Sequence, residues 1–525
     1  MRYRALQVGL APASQTPASQ TPASLAPANL VLASLALASL VLACMALASL
    51  ALASPVLASP VPGGGGRTAG VTLRVDLGPY LAAGYFDPAT DRLEVRGDFS
   101  DWRAGPPPLV PSGAGIYQVT LDLPPGPIAY KFVIVRQGGA VVWEDHVPNR
   151  RCRVPAEGST LAPVLFDDLA AAPDPAACLA GADLSFVPRL RALGAVYGPA
   201  GRREPLLPLL RRAGFELVRL RLWHTPAEPW QGLDATVAFA REVTAAGFAL
   251  MLDLHYSDTW ADPEHQTPPA AWTELLPTVL ADSVAAYTTA VLTRFAAAGA
   301  MPAYVQIGNE IDGGLLWDAA RVGWRGSVWD TPRQWSVLTT VLQAAAAAVR
   351  AAAPLAAGPR VVVHLAAGGD NAGCRRFCDH LAAAGVDYDV IGLSFYTWWH
   401  GTLWNLETNV RDLRARYGKE VMVVETGYPW TLAGRDDTGN FVTSTDPLPA
   451  GYPPTPAGQC DFLRDLRRVI ATAGGSGVIY WEPAFVPVTG GPPNPYENLT
   501  LFDFEGIPLP ALTCGAPPAS ARPRR

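Results

Sequence analysis

Two acidic residues stand where a chain could do chemistry. Glu310 closes the run Val305-Gln-Ile-Gly-Asn-Glu310, and Glu425 closes Val421-Met-Val-Val-Glu425. Apolar runs of this length read as buried strands. A turn would explain the glycine after the first run but not the acid. Two carboxylates facing each other can hydrolyse a glycosidic bond, one protonating the leaving oxygen, the other attacking or activating water. The plain alternative for either acid alone is an ion-paired loop residue.

Further polar and aromatic residues gather at other strand ends. They are Arg219-Leu-Arg221-Leu-Trp-His224, Asp253-Leu-His255-Tyr-Ser-Asp258-Thr-Trp260, Ser394-Phe-Tyr396-Thr-Trp-Trp399-His400 and Trp481-Glu482. An arginine and a tyrosine beside a carboxylate lower its pKa and keep it ionised, which suits a nucleophile. The acid partner needs a raised pKa, so the two environments must differ. Trp260, Trp398, Trp399 and Trp481 can floor sugar subsites or pack in the core.

These residues need a scaffold that brings strand ends together. From Cys178 onward, apolar runs alternate with long stretches of helical period. The runs lie near 182–185, 217–222, 249–254, 304–307, 361–365, 390–394, 421–424 and 477–481. Gly214, Gly247, Gly299 and Gly385 stand where helices should stop in a left-handed residue. Eight such units predict a (β/α)8 barrel, whose functional groups sit at the C-terminal mouth. Runs apolar on both faces fit parallel strands under helices. A doubly wound sheet would be expected to bring a glycine-rich phosphate loop, and none is present.

A chain of 525 residues is too long for one core. The leader, 1–70, holds a low-complexity repeat and the uncharged Leu30–Ala53 stretch, which read as a signal or anchor. That predicts a secreted or cell-surface protein, touching membrane only through such an anchor. A small β-sandwich is predicted over 71–155, from alternating strands such as Tyr117–Leu123 and Ala129–Val135. A linker follows at 156–177, the barrel at 178–515 and a tail at 516–525. The net charge of −6 offers nothing to a nucleic acid. Seven cysteines include Cys44 in the leader; the six others allow 15 pairings, and the sequence does not choose. Cys374, Cys378 and His380 lack a zinc-site spacing, and no metal is assigned. A monomer is expected.

Two resemblances sharpen these readings. In the first domain, Val95-Arg-Gly-Asp-Phe-Ser-Asp-Trp102, Val142-Trp-Glu-Asp-His-Val-Pro-Asn-Arg150 and the Tyr-Lys-Phe strand resemble starch- and glycogen-binding modules. That resemblance makes Trp102 and Trp143 a candidate sugar platform; core packing is the other reading. The barrel resembles glycoside hydrolase family 53, the arabinogalactan endo-β-1,4-galactanases. The matching phrases are Gly181-Ala-Asp-Leu-Ser185, Val218-Arg-Leu-Arg-Leu-Trp223, Leu254-His-Tyr-Ser-Asp-Thr-Trp-Ala-Asp-Pro263 and Gln306-Ile-Gly-Asn-Glu-Ile311. After them come His364–Asn371, Trp399-His-Gly-Thr-Leu403, Val423-Val-Glu-Thr-Gly-Tyr-Pro429 and Tyr480-Trp-Glu-Pro483.

The family resemblance implies a retaining double displacement on β-1,4-galactan, with Glu310 as acid/base and Glu425 as nucleophile. It implies that Asn309 binds the 2-hydroxyl of the sugar and that Arg221 and Tyr396 hold the nucleophile. His255, Asp258, Trp260, Asp370, Trp399, His400 and Trp481 would line the groove. No cofactor is required; the candidate for a structural calcium is Asp436-Asp437. Phe395 and Thr397 stand where the family often has Tyr and Pro. Competing functions are a barrel hydrolase of another β-glycan and a non-catalytic surface glycan-binding protein.

Overall fold

The computed structural model describes residues 68–514, apart from 83–84, 114, 145–148, 168–177, 353–357 and 450–451. The predicted leader up to residue 67, with the export signal expected in it, therefore lies outside the described residues, while its last two positions, Ala69 and Gly70, open the first strand. No helix among the described residues is long and apolar enough to cross a membrane.

The first part is a pair of sheets. One orders strands Val110–Gly113, Ile116–Leu123, Ala69–Asp76 and Ser159–Thr160, with Val164–Leu165 also pairing Ala69–Asp76. The other orders Arg92–Gly97, Gly126–Val135 and Val141–Trp143, with Arg150–Val154 also pairing the first half of Gly126–Val135. Ala69–Asp76 alternates buried and half-buried residues along its whole length, the period of a strand with one face on a core. Val71, Leu73, Val75, Val119, Leu121 and Phe132 fill that core. Phe166 belongs to it too, so the sandwich extends past the predicted boundary at 155. The reason is pairing: Ser159–Thr160 and Val164–Leu165, two residues each, are too short to show a strand pattern in sequence, yet both add in parallel to the first strand.

The second part is a closed barrel of eight parallel strands. They are β1 Leu179–Asp183, β2 Leu217–Leu222, β3 Ala249–Leu254, β4 Tyr304–Ile307, β5 Arg360–Leu365, β6 Val390–Phe395, β7 Glu420–Thr426 and β8 Gly477–Tyr480. Only β1 departs clearly from its expected place, starting three residues earlier. Its small residues leave no apolar run to read, because Gly181 faces Ile479 of β8 across a gap too narrow for a Cβ.

Alternation along each strand separates two populations. Val218, Leu220 and Leu222 of β2 face the helices, while Leu217 joins Met251, Val362, Val390, Met422, Val424 and Ile479 inside the barrel. Two residues further along, the inward positions turn polar: Asp183, Arg219, Asp253, Gln306, His364 and Ser394, all buried. The barrel is thus apolar at its floor and charged at its mouth.

A disulfide joins Cys460, in helix Pro456–Thr472, to Cys514. Cys374 and Cys378 are buried in helix Asn371–Ala384. His380 of that helix stacks on Trp335 at 3.8 Å between ring centroids.

Candidate active site

The centre of the mouth is one guanidinium among three acids. Arg219, 1% exposed, reaches Asp183, Asp253 and Glu425 at 2.8 Å each. It also donates to Asn309 Oδ1 at 2.8 Å and Gln306 Oε1 at 3.2 Å. Glu425 lies on β7, and Tyr396 Oη donates to its other oxygen at 3.4 Å. Tyr396 therefore sits where the sequence placed it. Arg221 does not hold the nucleophile candidate. Both arginines point into the barrel, but Arg221 is one rung higher. It meets Gln231 at 3.1 Å and Glu482 at 3.9 Å, and lies 4.1 Å from the ring centroid of Trp260.

The expected depression of Glu425 is also corrected. Burial pushes its carboxyl up to about 7, and Arg219 opposes this only in part, because Asp183 and Asp253 share the same cation. Glu310 has no such cation. Burial pushes it well above the usual carboxylate range, and the charge of Glu425 pushes it further. The two acids thus have unlike environments, as an acid and a nucleophile require.

Glu310 follows β4 in a left-handed conformation, φ 49°. Such a backbone in a residue other than glycine costs energy and collects at functional sites. Its Oε1 lies 2.6 Å from Ser394 Oγ. The neighbouring amide, Asn309, is fixed from both ends. Its Nδ2 donates to the Ala261 carbonyl at 2.8 Å and its Oδ1 accepts from Arg219. Gln266 clamps the same turn by donating to the carbonyls of Asn309 and Glu310 at 2.8 and 3.3 Å.

Of the predicted groove residues, the aromatic ones reach the mouth. Trp260 is 38% exposed, 5.3 Å from Trp223 and 6.3 Å from Trp481 by ring centroids. Trp481 leans on Tyr496 at 4.3 Å. Trp399 stands edge-on to Tyr396 and to Phe441, both at 5.5 Å.

The predicted polar liners serve mostly as supports. His255 is 2% exposed. Its Nδ1 accepts from Trp223 Nε1 at 3.2 Å and from the Ala261 amide at 3.1 Å, so Nε2 carries the hydrogen and points at Asp253, 3.0 Å away. Asp258 clips two loops by accepting from the amides of Thr225 and Ala270, both at 2.8 Å. Asp370 caps helix Asn371–Ala384 through the Gly373 amide at 3.0 Å. His400 accepts the Tyr396 amide at 3.0 Å and is held neutral, its pKa pushed down by burial to about 4. Short polar side chains after a strand are cap and turn formers as readily as ligands, and the sequence alone does not separate the two uses.

Arg219, Ser394 and Glu482 stand in the strand-end phrases without an assigned role, and Asp183, Gln306 and His364 in the family-like phrases. Arg219, Gln306 and His364 follow an inward apolar residue by two positions, Asp183 and Ser394 by four, and that spacing is the signal for them. Glu482, 1% exposed with φ 43°, accepts the Phe186 amide at 3.1 Å.

The calcium candidate does not resemble a cation cage. Asp436 accepts from the amides of Thr438 and Asn494 at 2.7 and 3.2 Å, which is loop closure, and Asp437 is exposed. Among the described residues no group of three or more His, Cys, Asp or Glu is placed to hold a metal ion.

In the sandwich, Trp102 and Trp143 come together. Both are half-buried, their ring centroids are 6.4 Å apart, and Arg96 lies over Trp143 at 5.5 Å. Two adjacent, partly open indoles form a surface suited to a sugar ring.

Comparison with known proteins gives the site its context. Residues 179–514 match the sequence model of glycosyl hydrolase family 53, and residues 102–163 match that of the starch binding domain. An uncharacterised protein of Niallia circulans is 40% identical, over 64% of this chain and 93% of its own length. The arabinogalactan endo-β-1,4-galactanase of Cellvibrio japonicus is 36% identical, over 62% of this chain and 86% of its own. The solved family 53 catalytic domain of Ignisphaera aggregans aligns with a TM-score of 0.60 at 35% identity, covering 66% of this chain and 97% of that one.

Proposed function

The chain belongs to glycosyl hydrolase family 53, and from that premise we propose that it is a secreted, monomeric endo-β-1,4-galactanase. Its substrates are β-1,4-galactan and type I arabinogalactan, cleaved with retention. The observation that carries this reading is the pair of unlike carboxyls across one mouth, Glu425 tied to Arg219 and Glu310 facing only hydroxyl and negative charge.

Glu425, ionised and aimed by Arg219 and Tyr396, attacks the anomeric carbon while Glu310 gives its proton to the departing oxygen. A galactosyl-enzyme forms on Glu425. Glu310, now a carboxylate, takes a proton from water, which attacks the same carbon and releases the sugar. This course requires the two carboxyl groups to stand about 5–5.5 Å apart, with no room for water between them. Asn309 turns its second amide hydrogen toward the 2-hydroxyl. Trp260, backed by the Arg221 guanidinium, and Trp481 floor the groove. The Trp102–Trp143 surface captures an α-glucan such as starch and so holds the enzyme on mixed plant polysaccharide. Export rests on the uncharged leader.

Reducing-sugar release from pectic β-1,4-galactan tests this, with wild type beside Glu310→Ala and Glu425→Ala. Short oligomers from wild type only are expected. Activity confined to another β-glycan would move the substrate. Inactivity on every glycan would leave a surface capture protein.

A further inference from the structure

Glu310 is bound to its own backbone through two other side chains. Its amide points at His364 Nδ1, 3.4 Å away; His364 Nε2 is 2.9 Å from Ser394 Oγ; and Ser394 Oγ is 2.6 Å from Glu310 Oε1. Donor counting gives this ring a direction. An amide hydrogen aimed at Nδ1 needs a bare nitrogen there. Gln306 Nε2, which can only donate, is a second group aimed at Nδ1, 3.1 Å away, and Asn309 Oδ1, 2.9 Å from Nδ1, already accepts from Arg219 at 2.8 Å and Gln306 at 3.1 Å. The hydrogen of neutral His364 is then on Nε2 and goes to Ser394 Oγ. Ser394 has one proton left to give, and only Glu310 Oε1 to receive it.

We propose that Ser394 and His364 are positioning residues for the acid/base, forming a one-way relay that anchors Glu310 Oε1 and leaves Oε2 to carry the exchanged proton. The proposal rests on the acid/base reading of Glu310. As Oε2 releases its proton, charge appears on the carboxylate, and the Ser394 hydroxyl is already oriented to stabilise it. A bond to the ionised form lowers that form's cost, so the relay restrains a pKa that burial and neighbouring acids raise.

The charges facing Glu310 are Glu425 from β7, Asp312 from its own loop and Asp262 from the loop after β3. Those facing His364 are Arg219, Asp253, His255 and His400. Burial and Arg219 both disfavour an imidazolium, which keeps His364 neutral, as the relay needs.

Two measurements test the relay. The alkaline limb of kcat/KM reports the acid in free enzyme. In Ser394→Ala it is expected to move up by about one pH unit, with Ser394→Thr restoring the wild-type limb. A limb that stays put while the rate falls at every pH would overturn the proposal. Nitrogen-15 NMR of histidine-labelled wild-type protein needs neither substrate nor variant. Hydrogen on His364 Nε2 is expected, and hydrogen on Nδ1 would overturn the relay. If wild type does not cleave galactan, the function reading fails on its own and the tautomer still decides the relay.

Discussion

Replacing Arg219 by methionine removes the guanidinium that is ion-paired with three buried carboxylates, Asp183, Asp253 and Glu425. Two unit charges about 4 Å apart at an effective dielectric near 20 interact by about 4 kcal/mol, which is roughly three pH units for one acid. Asp183 and Asp253 also take up protons when the cation leaves, which eases their repulsion of Glu425 and reduces its rise to about two units. The nucleophile must be ionised, so the acidic limb of kcat/KM should rise by about that much. Below the shifted limb, activity should fall on the order of 100-fold. Leaving buried acids uncompensated should also cost about 3–5 kcal/mol of stability. The assay is a pH profile on soluble galactan beside a thermal melt. Arg221→Met is the control: it borders Glu482 and Trp260, so it should weaken substrate binding and leave the limb in place. An unmoved limb in Arg219→Met, or an equal shift in Arg221→Met, would refute the assignment of Arg219 as the partner of Glu425.

Other expectations follow from the same geometry. Glu310 and Glu425 both have folded pKa values above the ordinary carboxylate value of 4.5. The folded state therefore binds more protons between that value and about 7 for Glu425, and stability should fall as pH rises through this window. Melting temperature should decline from pH 5 to pH 8, and Glu425→Gln should flatten the slope. The Cys460–Cys514 bond spans 54 residues, and by the loop-entropy relation Cys460→Ser should lower stability by about 4 kcal/mol; a melt unchanged by reductant would contradict it. Trp102→Ala or Trp143→Ala should weaken retention on starch by roughly tenfold, about 1.4 kcal/mol, with kcat/KM on soluble galactan unchanged. Equal retention by both variants would show that the two indoles only pack.

Much of this architecture is legible in the chain because barrel strands announce themselves. Leu217–Leu222 and Ala249–Leu254 are buried on both faces, and their glycine-stopped helices mark the units. The candidate pair is legible for the same reason, since Glu310 and Glu425 end such runs. Strand ends alone say nothing about depth. Arg219 and Arg221 share a strand and a face, and only the closed barrel brings the lower one to 2.8 Å from both Asp253 and Glu425. His255 and Asp258 read as groove liners in sequence; in the fold His255 is held by Asp253, the Trp223 indole and the Ala261 amide, and Asp258 by the amides of Thr225 and Ala270, partners that spacing alone does not reveal. The depression expected at Glu425 failed because its burial, the largest influence on its carboxyl, and the nearby charges of Asp183 and Asp253 are set by the fold and cannot be counted in sequence.

The central claim is that Glu425 attacks the sugar, and trapping the covalent intermediate tests it most directly. A galactobiosyl fluoride bearing fluorine at carbon 2 slows the second step and should leave a mass adduct on the peptide containing Glu425. The account predicts that adduct, and its absence in Glu425→Ala. Turnover without an adduct, releasing the α-anomer as first product, would show that water attacks directly and would contradict the account.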